Sequence, residues 1–234
     1  AWAGAEVGAP VDGGVLIERL IPLVRAPASI STVECAWALA AALAVPETGA
    51  SQELRDLAAA RLLAAQGPAG LFPHTIPVEA AGRFREHVGC FADQVYPIQS
   101  LARYAAARGD GPALDAANRC AAQIYRLQGA SGQWWWHYDS RGDSGVEGYP
   151  VYSVHQHAMA PMALFDLAEC GGDDHGQAIV RGLLWLDRHP EVLEDLIAPA
   201  RHVIWRKVGR RERAKVVRKL SALTTSMSPG MRLP

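Results

Sequence analysis

Apolar residues recur three and four positions apart along most of the chain, which is the spacing that places them on one face of an α-helix. Long alternating runs of β-branched residues are absent, and clusters of Gly, Pro and Asp separate the periodic stretches. The sequence therefore predicts an all-α protein. The expected helices cover about residues 30–45, 51–66, 92–108, 112–128, 152–169, 175–188 and 191–207, followed by a basic segment at 210–224.

The sequence can be aligned with itself so that Gln66 falls on Gln128, and we call this displacement the internal shift. The segment QGPAGLF at 66–72 then lies on QGASGQW at 128–134, and Gln94 falls on Gln156. One offset that persists through a loop, a helix and the next loop is the mark of an internal structural repeat. The pattern predicts a helical hairpin of about 62 residues that occurs twice, with a degraded third copy.

Both segments contain Gln, then Gly four residues later, then an aromatic residue two positions further, at the end of a predicted helix. This pattern resembles the QW motif of the terpene cyclase and protein prenyltransferase superfamily. The resemblance implies an α/α toroid of antiparallel helical hairpins, here as a partial ring that a homodimer could complete. It also implies that each Gln ties a helix end to its neighbour, which gives Phe72 and Trp134 a structural role.

Composition narrows the class of protein. The chain has 234 residues, half of them apolar, and no apolar run reaches the roughly 18 residues that span a bilayer. The start of the chain lacks the pattern of a secretory signal, so a cytoplasmic protein is expected. Its four cysteines lie far apart and predict free thiols rather than disulfides or a zinc site. We therefore expect no metal and no cofactor.

The near-neutral net charge conceals an asymmetry. Residues 1–200 contain 13 Arg, no Lys and 23 acidic residues, whereas residues 201–234 contain 10 basic residues and Glu212 as their sole acid. We expect a toroid domain at 1–200 and a basic amphipathic tail at 201–234. Residues 201–224 could lie on an anionic membrane or dock on the acidic body. Nucleic acid is not an expected partner, because the body would repel phosphate.

Candidate catalytic residues begin the second helix of each predicted repeat. The acid motifs usual in the cyclases are absent, since GGDDHG at 171–176 lacks their first aspartate. Asp93 and His155 are equivalent under the internal shift, and by resemblance they begin the helices that line a toroid's cavity. We expect Asp93 to donate a proton and His155 to be its partner or an alternative acid. Helix capping by Asp93 and simple packing of His155 are the competing interpretations.

Residues that could wall the same cavity gather around the three consecutive tryptophans and the two helix starts. His155 and His157 are two positions apart on a predicted helix, so they point in different directions and are not expected to bind one metal ion. The predicted substrate-binding residues are Tyr96, Trp135, Trp136, Asp139, Tyr152, Gln156 and His157.

Two classes of enzyme and one class of binding protein fit these features. Aromatic side chains beside carboxylates stabilise cationic intermediates, so a terpene-cyclase-like enzyme acting on an isoprenoid is the first hypothesis. The same side chains suit a sugar ring, which makes a carbohydrate-active glycosidase or polysaccharide lyase the alternative. A toroid that binds a protein or lipid without catalysis is the third hypothesis.

Overall fold

A computed structural model describes residues 13–25, 27, 29–206 and 216–231, and helices dominate this part of the chain. The prediction of a mainly helical protein is confirmed. The α-helices are α1 Gly13–Val24, α2 Thr32–Leu43, α3 Gly49–Ala65, α4 Ala92–Arg108, α5 Gly111–Arg126, α6 Ala160–Glu169, α7 Gly176–Leu184 and α8 Val216–Met227. The short strands are β1 Ile30–Ser31, β2 Thr75–Ile76, β3 Val88–Cys90, β4 His137–Asp139, β5 Ile197–Ala198 and β6 Val203–Ile204.

The helices pack in two rows. In the first row α2 packs against α4 and α4 packs against α6, while α1 and α3 pack together in the second row and α5 lies beside α4. The apolar faces of both rows meet in one core, which contains the fully buried side chains of Leu39, Leu54, Leu62, Ile98 and Leu101. Helical spacing of these residues is what the sequence pattern anticipated.

Local signals in the sequence set the helix boundaries. Ser31 and Glu34 form a reciprocal capping box at the start of α2, and the Asp110 side chain accepts a hydrogen bond from the Ala113 N–H at the start of α5. Gly109 ends α4 with φ 68°, a left-handed conformation that favours glycine. Polar caps and glycines therefore place these ends where the sequence predicted them.

The described residues form three short antiparallel strand pairs, and two of them lie at helix starts, those of α2 and α4. β1 pairs with β2, β3 with β4 and β5 with β6. Just after β1 and β3 the backbone N–H groups of Thr32 and Phe91 donate to the carbonyls of His74 and Trp136, each at 3.0 Å. Further along, Ser153 donates in the same way to Arg206 at 3.1 Å. Three helix starts, those of α2, of α4 and of the helical segment that leads into α6, are thus each bonded to a later loop.

One predicted helix is wrong, and another helix was missed. Of the helix expected at 191–207, the described residues 191–206 do not form a helix, because β5, a short 3-10 turn at Pro199–Arg201 and β6 occupy this stretch. A β-branched pair, Val203 and Ile204, and the proline favour strands and turns over helix. Helix α1 was not predicted. The helix expected at 152–169 also begins differently, with a π-helical turn at His155–Met159 before α6.

The C-terminal region divides into described and undescribed parts. Residues 207–215 of the predicted basic tail lie outside the described residues, whereas α8 packs on the body. The predicted boundary after residue 200 falls within the short 3-10 turn, and the two-domain division stays a prediction. Among the described helices, none has the length and apolarity needed to cross a membrane.

Candidate functional site

The two QW-like segments make the same hydrogen bonds at positions that the internal shift makes equivalent. Nε2 of Gln66 donates to the carbonyls of Gly70 and Ala116, at 2.9 and 2.8 Å. Nε2 of Gln128 donates to the carbonyls of Gly132 and Ala178, at 2.8 and 3.0 Å. Each glutamine amide thus joins its own loop to a later helix, α5 for Gln66 and α7 for Gln128.

The shared glycine spacing within these segments has a steric cause. Gly132 has φ 94°, and a Cβ built there would lie 2.0 Å from the carbonyl oxygen of Arg181. Gly70 has φ 87° and faces the carbonyl of Arg119, the equivalent of Arg181 under the internal shift. Both the left-handed backbone and the close approach exclude a side chain.

A second glutamine pair fixes the loops above the helix starts. Oε1 of Gln94 accepts from the Phe72 N–H at 2.8 Å, and its Nε2 donates to the Phe72 carbonyl at 2.9 Å. Gln156 makes the same pair with Trp134, at 3.1 and 3.4 Å. Gln156, a predicted substrate-binding residue, is fully buried and serves this internal contact instead.

A polar cluster lies at the first of these helix starts, and we call His74, Cys90 and Asp93 the polar triad. Asp93 is fully buried, and one of its carboxylate oxygens accepts from the Cys90 N–H at 2.7 Å. That same oxygen lies 3.0 Å from Nδ1 of His74, whose side chain is exposed. The carboxylate therefore holds an imidazole that reaches solvent.

The charges of the polar triad follow from these contacts. The hydrogen bond with Asp93 raises the pKa of His74, which favours the imidazolium form. Burial, with the negative charge of Asp93, raises the pKa of the Cys90 thiol. His74 is thus suited to carry a proton, whereas Cys90 is a protonated thiol and a poor nucleophile.

An aromatic cluster lies at the second helix start, and we call Trp136, Tyr152 and His155 the aromatic triad. Ring centroids of Trp136 and Tyr152 are 4.6 Å apart, and that of His155 lies 5.8 Å from Trp136 and 5.9 Å from Tyr152. Burial lowers the pKa of His155, and the positive charge of Arg206 lowers it further. His155 is therefore a neutral imidazole near pH 7 and can accept a proton.

The two triads occupy equivalent positions in the chain. The internal shift converts His74, Cys90 and Asp93 into Trp136, Tyr152 and His155, in that order. Phe91, the residue after Cys90, links the two starts through its backbone, because its N–H donates to the Trp136 carbonyl at 3.0 Å, and its ring lies 6.1 Å from His155, edge to face. The same backbone position thus carries a hydrogen-bonded polar group in one place and stacked rings in the other.

Charged residues border the aromatic triad. The Arg218 guanidinium of α8 lies 5.8 Å from the centre of the Trp136 ring and 3.6 Å from Oε1 of Glu147. Glu147 also forms a hydrogen bond with Nδ1 of His137, and both residues are buried. The C-terminal helix is therefore an immediate neighbour of the triad.

Comparisons with protein-family models, with curated proteins and with solved structures find no match. The geometry of the two triads therefore carries the functional interpretation.

The three consecutive tryptophans have three different surroundings. Trp134 is fully buried in the core, 5.9 Å from Phe91. Trp135 donates from Nε1 to the Leu127 carbonyl at 2.7 Å and so satisfies the C-terminal end of α5. Of the three consecutive tryptophans, Trp136 is the one that belongs to the aromatic triad. The indole predicted at position 135 to bind substrate thus caps a helix.

The other predicted site residues are dispersed. Tyr96 lies edge to face with Trp37 at 5.3 Å, where Trp37 is 49% exposed. Asp139 is fully buried in β4 and bound by the Arg141 guanidinium at 3.1 and 3.2 Å, so we assign it no substrate contact. His157 is half-buried within the π-helical turn. The expected pairing of Asp93 with His155 is replaced by the bond between Asp93 and His74.

Sequence reasoning missed His74 and Cys90. The signal that would have found them is the internal shift, because His74 is the equivalent of Trp136 and Cys90 the equivalent of Tyr152. These residues also offer metal-ligand chemistry: one ligand atom from each member of the polar triad lies within 4.8 Å of the others. Imidazole, thiolate and carboxylate are ligands that Zn²⁺ accepts. The expected absence of a metal stays a prediction.

Proposed function

We propose that the chain is a terpene-cyclase-like enzyme that acts on an isoprenoid. The observation that carries this proposal is a proton-carrying His74–Asp93 pair at one helix start and the aromatic triad at the other, linked by the bond from the Phe91 N–H to the Trp136 carbonyl. An acid that creates a cation and rings that stabilise it are the two requirements of isoprenoid cyclisation. The described side chains offer candidates for both.

The finer fold that we infer is a partial α/α toroid of antiparallel hairpins. Its support is the repetition of the same glutamine hydrogen bonds at positions related by the internal shift. In such an arrangement the first-row helices α2, α4 and α6 would face the axis. Asp93 and the π-helical turn before α6 would then begin neighbouring inner helices.

The first step that we propose is departure of an oxygen leaving group. The C–O bond of a prenyl diphosphate breaks, its electron pair leaves on the diphosphate oxygen, and His74 gives that oxygen a proton while Asp93 holds the imidazole. An imidazolium is an acid of suitable strength for this task. Protonation of an unactivated double bond would instead require the carboxylic acid form of Asp93.

The later steps belong to the aromatic triad. The allylic cation is stabilised by the faces of Trp136 and Tyr152, an interaction worth about 0.5 to 2 kcal/mol for each ring. After ring closure the last cation loses a proton from carbon to form a double bond, and the neutral imidazole of His155 accepts it. The proton acceptor His155 thus occupies the position equivalent to Asp93, the residue that holds the proton donor His74.

A panel of substrates tests the proposal. Purified full-length chain is incubated with prenyl diphosphates, with squalene-like polyenes and with acidic oligosaccharides, and hydrocarbon, alcohol and sugar products are measured by mass spectrometry. Cyclised product from an isoprenoid, lost in Asp93→Asn and in His155→Phe, supports it. Binding of these compounds without turnover would instead assign the chain to the non-enzymatic class.

A second candidate is a carbohydrate-active enzyme. The specific observation in its favour is Trp37, which is 49% exposed beside Tyr96 and offers an open platform for a sugar ring. Cleavage of an oligosaccharide in the same panel, abolished by Trp37→Ala, would favour this candidate. A cytoplasmic location, expected from the sequence, is part of the first proposal.

A further inference from the structure

Helix α8 docks on the body through small and polar side chains. Ser221 and Thr225 are fully buried and Ala222 nearly so. Oγ1 of Thr225 lies 2.9 Å from Nε2 of His87, and the Arg141 guanidinium donates to the Thr225 carbonyl at 2.7 Å. Hydrogen bonds and close packing, rather than large apolar side chains, attach this helix.

The opposite face of α8 is apolar and exposed. Val216, Leu220, Leu223 and Met227 are exposed by 49, 44, 37 and 79%. Their spacing of four, three and four residues places them in one stripe along the helix. We call these four residues the α8 stripe. A surface helix of a globular protein normally buries such a stripe, so its outward position indicates an interaction surface.

The charge of this region identifies the occupant. Residues 206–219 contain eight Lys and Arg and a single acidic residue, Glu212, in the sequence. Lys219 is exposed next to the stripe, and exposed Trp205 carries the Arg201 guanidinium 5.8 Å from its ring. Two copies that met symmetrically through α8 would bring these positive charges together. An anionic lipid surface offers both apolar depth and opposite charge.

We propose that α8 binds the surface of an anionic membrane through the α8 stripe while its other face stays docked on the body. Because Arg218 on the docked side of the same helix contacts Trp136 and Glu147, membrane binding would leave α8 between the aromatic triad and the lipid. Membrane binding through the α8 stripe is separate from the proposed reaction and does not depend on it. An isoprenoid substrate, which partitions into lipid, would give the surface a purpose.

Flotation of the full chain with lipid vesicles tests this surface. Vesicles are made of phosphatidylcholine alone or with phosphatidylglycerol, and binding is measured at low and at high salt. We expect binding that is at least about tenfold tighter to the anionic vesicles and that weakens at high salt. Equal binding to both vesicle types would overturn the charge argument.

Variants separate the stripe from general stickiness. Leu220→Glu with Met227→Glu should reduce binding to anionic vesicles by about tenfold or more, since two carboxylates would enter the interface. The matched control is Leu193→Glu, because Leu193 is 76% exposed and lies outside α8. This control should bind as the unmodified chain does. Circular dichroism and melting temperature should be unchanged in both variants.

Two results would contradict the proposal. Undiminished vesicle binding by the Leu220→Glu, Met227→Glu variant would remove the stripe from the contact. A homodimer in light scattering that this variant dissociates, without vesicle binding by the unmodified chain, would assign the stripe to a second copy. Turnover of an isoprenoid is measured separately, so failure of the reaction and failure of the membrane surface remain distinguishable.

Discussion

The helix starts at Asp93 and His155 share a glutamine contact with the loop above and differ in helix type and in chemistry. Gln94 and Gln156 bind the loop above each start through the same pair of hydrogen bonds. Around Asp93 the neighbours are a histidine and a thiol, whereas around His155 they are an indole and a phenol. The scaffold therefore fixes where three side chains meet and leaves their identity free to vary.

This comparison locates function outside the repeated bonds. Groups that both halves need, such as Gln66 and Gln128, satisfy backbone at helix ends and cannot change without cost. Groups that differ between the halves make no hydrogen bond that both halves share, although Asp93 also accepts from the Cys90 N–H. Variants that exchange or remove the differing residues should change turnover, and variants of the shared residues should change stability.

The largest expected effect is loss of the proton-carrying pair. Asp93→Asn keeps the size of the side chain but leaves His74 without its negative partner, so kcat should fall about 100- to 10,000-fold. Turnover of the substrate found in the panel measures this. Asp166→Asn is the control, because Asp166 is also paired, with Arg103 at 2.9 Å, and lies outside both triads. Comparable losses in both variants would refute a special role for Asp93.

The next effect concerns the shared scaffold. Gln94→Leu and Gln156→Leu should each lower the free energy of unfolding by about 2 to 4 kcal/mol, because a buried N–H and a buried carbonyl lose their partners. Urea denaturation gives both values. We expect the two losses to agree within about 1 kcal/mol. A large loss at one position and almost none at the other would break the equivalence of the two starts.

A smaller effect separates the tryptophans. Trp136→Leu removes a ring that faces the proposed cation and should slow turnover about two- to thirtyfold, which corresponds to about 0.5 to 2 kcal/mol. Trp135→Phe removes the hydrogen bond to Leu127 and should cost about 1 kcal/mol of stability with turnover unchanged. Rate and melting measurements on both variants decide. The opposite assignment of effects would exchange the roles of the two indoles.

Acidity should affect the two starts in opposite directions. The folded-state pKa of His74 is raised, so its stabilisation is present below about pH 6.5 and is lost as pH rises through the folded pKa. The folded-state pKa of His155 is lowered, so the protein loses stability as pH falls below about 6.5. We measure the free energy of unfolding from pH 5 to 8, and in His155→Phe it should decrease less toward acid pH than in the unmodified chain. In His74→Ala the free energy of unfolding should decrease less as pH rises. If both variants changed the pH dependence in the same direction, the opposite pKa shifts of His74 and His155 would be contradicted.

Metal removal is expected to have no effect. If the polar triad works through a proton, dialysis against a chelator leaves turnover unchanged, and added Zn²⁺ can only compete for the triad. Turnover before and after dialysis is the measurement. Activity that disappears on chelation and returns with Zn²⁺ would show that the triad of His74, Cys90 and Asp93 acts through an ion.

Local signals determined the helical character and most helix ends. Periodic apolar residues and polar caps act over a few residues, so the sequence alone predicted α3, α4 and α5 closely. The internal shift pairs the glutamines and glycines that make the same local contacts, and the full structural repeat stays a prediction. Residues 191–207 were misassigned because their short strands depend on pairing with each other rather than on local pattern.

Tertiary structure alone decided which chemical groups meet. His74 and Asp93 are 19 residues apart, and only the loop held by Gln94 brings the imidazole to the carboxylate. Trp135 and Trp136 are adjacent in sequence, yet one caps α5 and the other joins the aromatic triad. The sequence shows that α8 is amphipathic, but only the tertiary structure shows that its polar face packs on the body. Side-chain partners depend on distances between distant segments, which no local pattern contains.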